Sequence, residues 1–358
     1  MTVPSDTPAV PFSSVRRIGV FKFRNIGDVL MITPALRALR EAFPAAEITV
    51  AVNSVTDAML QGNPHINHVL VYDRTEQQRG VLRRALHEWR FFRAIRSARF
   101  DLTVDFTSGD RPARYSWFSG APKRVAFRDW KGKWNWRNLA YTHTRLNPQT
   151  PIHEVERHLE LLRFVGIVAS NRDLCLLVPA QDREWAEQLL APHRSRPIVH
   201  IHPVARWLFK CWDNSKMAEV IDWLELEKDV RTVISSSANE REASRTKDIL
   251  GRCRSQPIAL VGQTSLAQLA AISEQADCFF GVDTAPMHIA AAVKTPVVCL
   301  FGPTDKTVWH PWCEKQITLA KNCRCTQLRR QDCDWNGVRD CLQAITVGEA
   351  KSALEKFL

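Results

Sequence analysis

The sequence predicts an α/β protein built from two domains with parallel sheets, and three observations carry that expectation. Short apolar runs alternate with amphipathic segments from residue 16 to residue 301, the rhythm of repeated βαβ units. The rhythm breaks once, over 171–197, where a short apolar run is mixed with Pro179, Pro192 and Pro197, and this stretch reads as a linker. A chain of 358 residues is long enough for two domains of ordinary size, each with its own core. The expected division is 1–170, a linker at 171–197, 198–345, and a helical tail at 346–358.

The first series opens with a strand over 16–23, its apolar content supplied by Ile18, Val20 and Phe21. The turn Arg24-Asn25-Ile26-Gly27-Asp28 follows, with Gly27 allowing a tight bend. Val29, Ile32, Leu36, Leu39 and Phe43 recur at helical spacing, and Pro34 either kinks that helix or, with Thr33 as cap, begins its regular part. Strands over 48–52 and 68–72, an Arg-rich helix over 80–97 and a strand over 101–106 complete the pattern. The second series runs strand 198–201, helix 215–226, strand 231–235, helix 240–250, strand 257–261, helix 266–275 and strand 277–282.

The most informative stretch comes next: Gly281-Val282-Asp283-Thr284-Ala285-Pro286-Met287-His288, then the buried strand 297–301. It reads as strand, acidic turn and helix start, so its loops emerge where ligands bind in such sheets. Thr284 can cap the helix, Pro286 is tolerated in its first turn, and the N–H groups there suit a diphosphate.

Composition bounds the rest. Apolar residues at 45% and charged residues at 24% belong to a folded globular chain, and no run approaches the roughly 20 residues that cross a bilayer. The first ten residues lack a basic n-region and an apolar h-region, so a cytoplasmic protein is expected. Charge is unevenly placed: between Arg74 and Arg145 there are 17 Lys and Arg against 6 Asp and Glu, an excess equal to the whole formal net charge of +11. Trp89, Trp117, Trp130, Trp134 and Trp136 are interleaved with it. Such a region predicts an anionic partner, whether phosphorylated glycolipid, acidic membrane or nucleic acid, unless it is only a solvated face. Cys323, Cys325, Cys333 and Cys341 have spacings that fit poorly with zinc motifs and leave structural thiols, a metal site or redox bridging open. The chain has no GxGxxG after its first strand and no GxxxxGK[ST], which weakens dinucleotide and P-loop chemistry.

The segment Gly281 to Ala292 resembles the donor-binding signature of glycosyltransferase family 9, the ADP-heptose:lipopolysaccharide heptosyltransferases, with Ala285 where the family commonly has glycine. Ile26-Gly27-Asp28-Val29-Leu30 with Thr33 to Leu39 resembles the family's other signature. The resemblance implies a GT-B architecture, two Rossmann-like domains facing across a cleft, with acceptor bound by the first domain and donor by the second. It implies a C-terminal helix that packs back on the first domain. It implies that Asp28 is the general base, although Asp28 also suits a helix cap. Lys210, in Leu208-Phe209-Lys210-Cys211-Trp212, matches the lysine that contacts the donor diphosphate, and this segment resembles the heptosyltransferase III subtype. Donor contacts fall to Glu240 (with Glu242 a competitor), Asp283, Thr284, Ala285, Met287 and His288, the last equally a buried core histidine. Arg24, Asn25, Arg83, Arg84 and Arg124 are the acceptor-binding candidates. The implied partners are ADP-heptose and the phosphorylated lipopolysaccharide inner core at the inner face of the inner membrane. No cofactor or metal and no nucleic acid are expected. Heptosyltransferase II or another sugar-nucleotide transferase is the alternative within this class.

Overall fold

The computed structural model describes residues 15–78, 80–128, 136–322 and 340–358. It divides after Leu177 into two compact units.

The first unit holds strands β1 (Arg17–Lys22), β2 (Glu47–Asn53), β3 (His68–Tyr72), β4 (Leu102–Asp105), β5 (Lys123–Arg128) and β6 (His143–Leu146). They pair in parallel in the order 3-2-1-4-5-6. Central β1 is buried from Ile18 to Lys22 because helices cover both faces of such a sheet. Two helices follow it, α1 (Ile26–Leu30) and α2 (Thr33–Ala42). Pro34 lies in the first turn of α2, where its missing N–H costs nothing. Thr33 is not the cap: its hydroxyl donates to Leu30 O at 2.8 Å and accepts from Cys175 N at 2.9 Å. Gly27 sits inside α1 and is not among the positive-φ residues, so the bend does not rest on glycine's special freedom. Helices α3 (Val81–Ser97), α4 (Asp110–Ser119) and α5 (Glu154–Phe164) complete the unit. The rings of Phe23, Tyr72, Phe91 and Tyr115 interlock in its core at centroid separations of 4.9 to 6.4 Å.

The second unit repeats the winding. Strands β7 (Ile198–His202), β8 (Arg231–Ser236), β9 (Ile258–Val261), β10 (Cys278–Val282), β11 (Val297–Phe301) and β12 (Gln316–Ala320) are parallel in the order 12-11-10-7-8-9. The interleaved helices are α6 (Ala180–Leu190), α7 (Asn214–Leu226), α8 (Glu240–Arg252), α9 (Leu266–Gln275) and α10 (Ala285–Ala292). One expectation changes here. From Val178 onward the stretch expected to be a linker belongs to the second unit: it contains α6, which packs on α9 and pairs Arg183 with Glu274 at 2.6 Å. The C-terminal helix Val347–Leu354 packs on α7, and its Ala350, Ala353 and Leu354 are part of the second unit's core.

Both sheets therefore reverse strand order at one place, between β1 and β4 and between β7 and β10. Loops leaving those strand ends diverge and open a crevice at the C-terminal edge. The second crevice is set by a close approach: a Cβ on Gly281 would stand 2.7 Å from His202 O and 3.0 Å from the Phe279 ring. Gly281→Ala is expected to destabilise the second unit by about 1–3 kcal/mol through overpacking. Thermal denaturation would show this as a fall of about 2–4 °C per kcal/mol in a unit of this size. An unchanged melting temperature would show that the strands part freely.

Candidate active site

At the first crevice, β1 ends in Lys22, whose side chain is 1% exposed. A buried ammonium needs a partner for each N–H, and this one has three: Phe106 O at 3.1 Å, Glu154 Oε1 at 3.1 Å and His158 Nε2 at 2.9 Å. Burial lowers the Lys22 pKa, against the pull of Glu154 and Asp28. Burial alone would raise Glu154, yet Lys22 and Arg157 outweigh it and hold the carboxyl well below its usual range. Burial and Lys22 push His158 down to about 4, so it is neutral at pH 7. Its Nδ1–H then donates to Met31 O at 3.2 Å, leaving Nε2 to accept from Lys22.

Asp28 stands at the rim of this network. One carboxylate oxygen accepts from Asn25 N at 3.2 Å and Asn25 Nδ2 at 3.3 Å, while the other lies 3.9 Å from Lys22 Nζ. The side chain is 13% exposed. Asp28 thus caps α1 with one oxygen, as its cap alternative expected, and presents the other near a fixed cation. Arg24 shares the turn and donates to Thr107 O at 3.0 Å. Across the switch point, buried Asp105 accepts from Tyr141 Oη at 2.5 Å and Thr107 N at 2.7 Å; burial raises its pKa.

At the second crevice, Lys210, carried by a short turn after β7, meets Asp283, the residue after β10. Their Nζ and Oδ2 are 2.7 Å apart, with 20% and 6% of the side chains exposed. Asp283 leads into α10, where Thr284 holds the N-cap position without a side-chain capping bond and Ala285 is the first helical residue. Beside them, β8 ends in the Ser235-Ser236-Ser237 run. Glu240 begins α8 and is exposed, whereas Glu242 is turned inward with a bond to Ser237, and burial raises its pKa. Beneath the edge, Ser235 Oγ bridges His200 Nε2 at 2.7 Å and His202 Nδ1 at 2.9 Å.

Three expected residues have other surroundings. Met287 is wholly buried in the cluster of Phe279, Val297 and Phe301, so it packs under α10. His288 is buried, as its core alternative foresaw. Arg124 lies level with Thr103 and thus with Gly19, short of the crevice, and its guanidinium donates to Ala121 O and Ala140 O at 2.6 Å each. Arg83 and Arg84 are exposed in the first turn of α3. Trp130, Trp134, Cys323, Cys325 and Cys333 lie outside the described residues, and Cys341 is buried. Among the described residues no group of three or more His, Cys, Asp or Glu is placed to hold a metal, and no helix is long and apolar enough to cross a membrane. Glu154 and His158 were not anticipated. Their i, i+4 spacing beside Val155, Leu159 and Leu162 was the available signal.

Residues 88–338 match the model of glycosyltransferase family 9 (heptosyltransferase). Lipopolysaccharide heptosyltransferase 3 of Escherichia coli strain K12 is 30% identical over 343 residues, 94% of this chain and 96% of that protein. The crystal structure of a family 9 glycosyl transferase from Veillonella parvula superposes with a TM-score of 0.81 at 20% identity, covering 96% of this chain and 97% of the other. An E. coli heptosyltransferase solved with ADP gives 0.72 at 19% identity, covering 96% and 100%. The architecture is that of these enzymes: two Rossmann-like units, each with a parallel six-stranded sheet.

The buried histidines set a pH dependence. Burial pushes His200 and His202 down to about 3, below the 6.5 of an unfolded histidine. The stability they confer is whole above about pH 6.5 and is lost as pH falls toward their folded values, because the unfolded chain binds protons that the native state refuses. Each contributes a slope of at most about 1.4 kcal/mol per pH unit. Urea unfolding at pH 7, 6 and 5 should give a stability for His202→Gln that falls less steeply than wild type by roughly that amount. Parallel pH curves would contradict the assignment.

Proposed function

The chain belongs to glycosyltransferase family 9, the heptosyltransferases, and from that premise we propose that it transfers L-glycero-D-manno-heptose from ADP-heptose to the lipopolysaccharide inner core with inversion. The observation that carries the reading is the Lys210–Asp283 pair at the second crevice, directly before the N-terminus of α10. That is a cationic, helix-ended socket of the kind that binds a diphosphate. Its residues are those to which the family resemblance gives donor contacts, Asp283 in the donor signature and Lys210 in the Leu208 to Trp212 segment.

In the proposed reaction the free oxygen of Asp28 takes the proton of the acceptor hydroxyl as that oxygen attacks the anomeric carbon. The bond from this carbon to the diphosphate oxygen breaks in the same step, and its electron pair leaves with ADP. Lys22 and Asn25 fix the carboxylate. Lys210 and the first N–H groups of α10 stabilise the charge growing on the leaving group, the task a divalent cation performs elsewhere. Glu240 is available to the ribose hydroxyls, because Glu242 is already engaged. Arg24 and Asn25 border the acceptor, and the basic region with Arg83 and Arg84 holds the phosphorylated core at the inner face of the membrane. The Leu208 to Trp212 segment and the similarity to heptosyltransferase 3 support the branch heptose on the second heptose as the product.

Purified protein given ADP-heptose and a panel of truncated core glycolipids, followed by mass spectrometry, tests the reading. A gain of one heptose only on acceptors that already carry the second heptose is expected. Gain on a one-heptose acceptor would make the chain a transferase of the second heptose, and no gain on any acceptor would overturn the proposal. Asp28→Asn should lower turnover by about 10²–10⁴-fold while donor affinity is kept. Lys210→Ala should weaken donor binding and slow the single-turnover step by roughly 10²–10³-fold, since its contact strengthens as the diphosphate departs. EDTA should leave the rate unchanged; loss of activity with rescue by magnesium would replace Lys210 as the main electrophile.

A further inference from the structure

Helix α3 has two faces, and only one belongs to the core. Glu88, Phe91 and Ile95 recur at helical spacing and turn inward, Phe91 and Ile95 into the aromatic core and Glu88 to accept from the hydroxyls of Tyr72 and Tyr115. On the opposite side, positions 82, 86, 89 and 93 fall on one stripe, since residues three and four apart share a helix face. Leu82 is 87% exposed, Trp89 54% and Leu86 45%; Val81, at the helix start, is 83% exposed. Beside the helix, Phe118 of α4 is 56% exposed and its ring lies 4.9 Å from that of Phe92.

This apolar surface is set among positive charge. The helix carries Arg83, Arg84, Arg90, Arg93 and Arg96, and its one acid, Glu88, is turned away from solvent. The Arg93 guanidinium lies 5.1 Å from the centre of the Trp89 ring, holding a cation against the indole as a headgroup boundary requires. Leucine and tryptophan on one face with arginines beside them is the pattern of a helix lying in a lipid interface.

We propose that α3 docks on an anionic lipid surface, with Leu82, Leu86 and Trp89 entering the acyl boundary and the neighbouring arginines meeting lipid phosphates. This rests on the reading above that the chain works at a membrane face, and it adds that docking is apolar insertion as well as charge attraction. Nucleic acid would satisfy the arginines but would leave the aliphatic leucines without a partner.

The full-length protein is sedimented with vesicles of phosphatidylglycerol and phosphatidylethanolamine, and with vesicles of phosphatidylcholine alone. Wild type should prefer the anionic vesicles. Part of that binding should survive in about 0.5 M salt, where screening confines charge attraction to roughly 4 Å. A Leu82→Ser, Leu86→Ser, Trp89→Ser variant, checked for folding by circular dichroism, should bind at least about tenfold more weakly, about 1.4 kcal/mol. Its heptose transfer to a deacylated, soluble core oligosaccharide should match wild type. Equal binding by the folded variant would overturn the insertion while leaving the catalytic reading intact. RNA binding that the three substitutions abolish would assign the face to nucleic acid instead. Failure of wild type itself to transfer heptose to the soluble acceptor would strike the catalytic reading, whatever the vesicles show.

Discussion

Parallel strands cannot be joined by a tight hairpin, so each connection crosses back through a helix and every strand of a sheet ends on the same edge. Where successive crossovers leave in opposite directions, the loops at that edge separate, and the crevice between them is the place in each sheet where the backbone leaves room for a ligand. The chain uses this constraint twice, with β1 beside β4 and β7 beside β10. Lys22 and the turn to Asp28 hang from β1, Asp105 and Thr107 from β4, the Lys210 turn from β7, and Asp283 with Thr284 from β10. The partners that meet across each switch point, Lys22 with Phe106 and Lys210 with Asp283, are far apart in sequence. The winding alone brings Lys210 to Asp283 across 73 positions, and Gly281 keeps the two strands near enough for them to meet.

The two crevices hold their lysines differently, and the difference fits the tasks proposed for them. Lys22 has three acceptors and almost no exposed surface, so its charge has no capacity left for a ligand. Removing one member of such a buried ionic cluster typically costs about 3–5 kcal/mol, because the rest is left uncompensated. Lys22 therefore fixes the ground on which Asp28 stands and does not itself bind. Among the described residues Lys210 has one acceptor, Asp283, and a fifth of its side chain is in solvent, so it keeps donors that face outward. A positioning cation and a binding cation are told apart by burial and by the number of bonds already made.

The β-α rhythm was legible wherever strands were buried on both faces, because β1, β2, β10 and β11 then read as plain apolar runs. It faded in the basic region. β5 and β6 carry Lys123, Arg124, His143 and Arg145 on the far side of the first sheet, and their composition resembles loop more than strand. Helix α5 was hidden for a related reason: Glu154 and His158 face inward to Lys22, so polar letters occupy positions where periodicity looks for apolar ones. The loop after β10 was readable as a loop, yet the contacts expected of it were not separable by helical face. Every residue of α10 from Pro286 to Ala292 is buried, and a helix buried all round has no polar side to mark which residues meet a ligand. Arg124 shows the limit of counting charge, since a guanidinium that closes two backbone carbonyls looks the same in sequence as one awaiting a phosphate.

Asp283 presents an electrostatic difficulty that its geometry resolves. A carboxylate beside a diphosphate repels it, and a site built for anion binding alone would omit it. With 6% of its side chain exposed, Asp283 without Lys210 would be a nearly buried unpaired charge, a loss of the same 3–5 kcal/mol order. The diphosphate of the proposed donor is therefore better accommodated by adding to the remaining Lys210 N–H groups than by displacing Asp283. In the proposed reaction the lysine then stays in one position throughout, tethered on one side and donating on the other. Because Asp283 offsets part of the Lys210 charge, the ammonium cannot neutralise a departing diphosphate alone. The N–H groups at the start of α10, which the Thr284 side chain does not cap, stand directly after Asp283 to supply the rest.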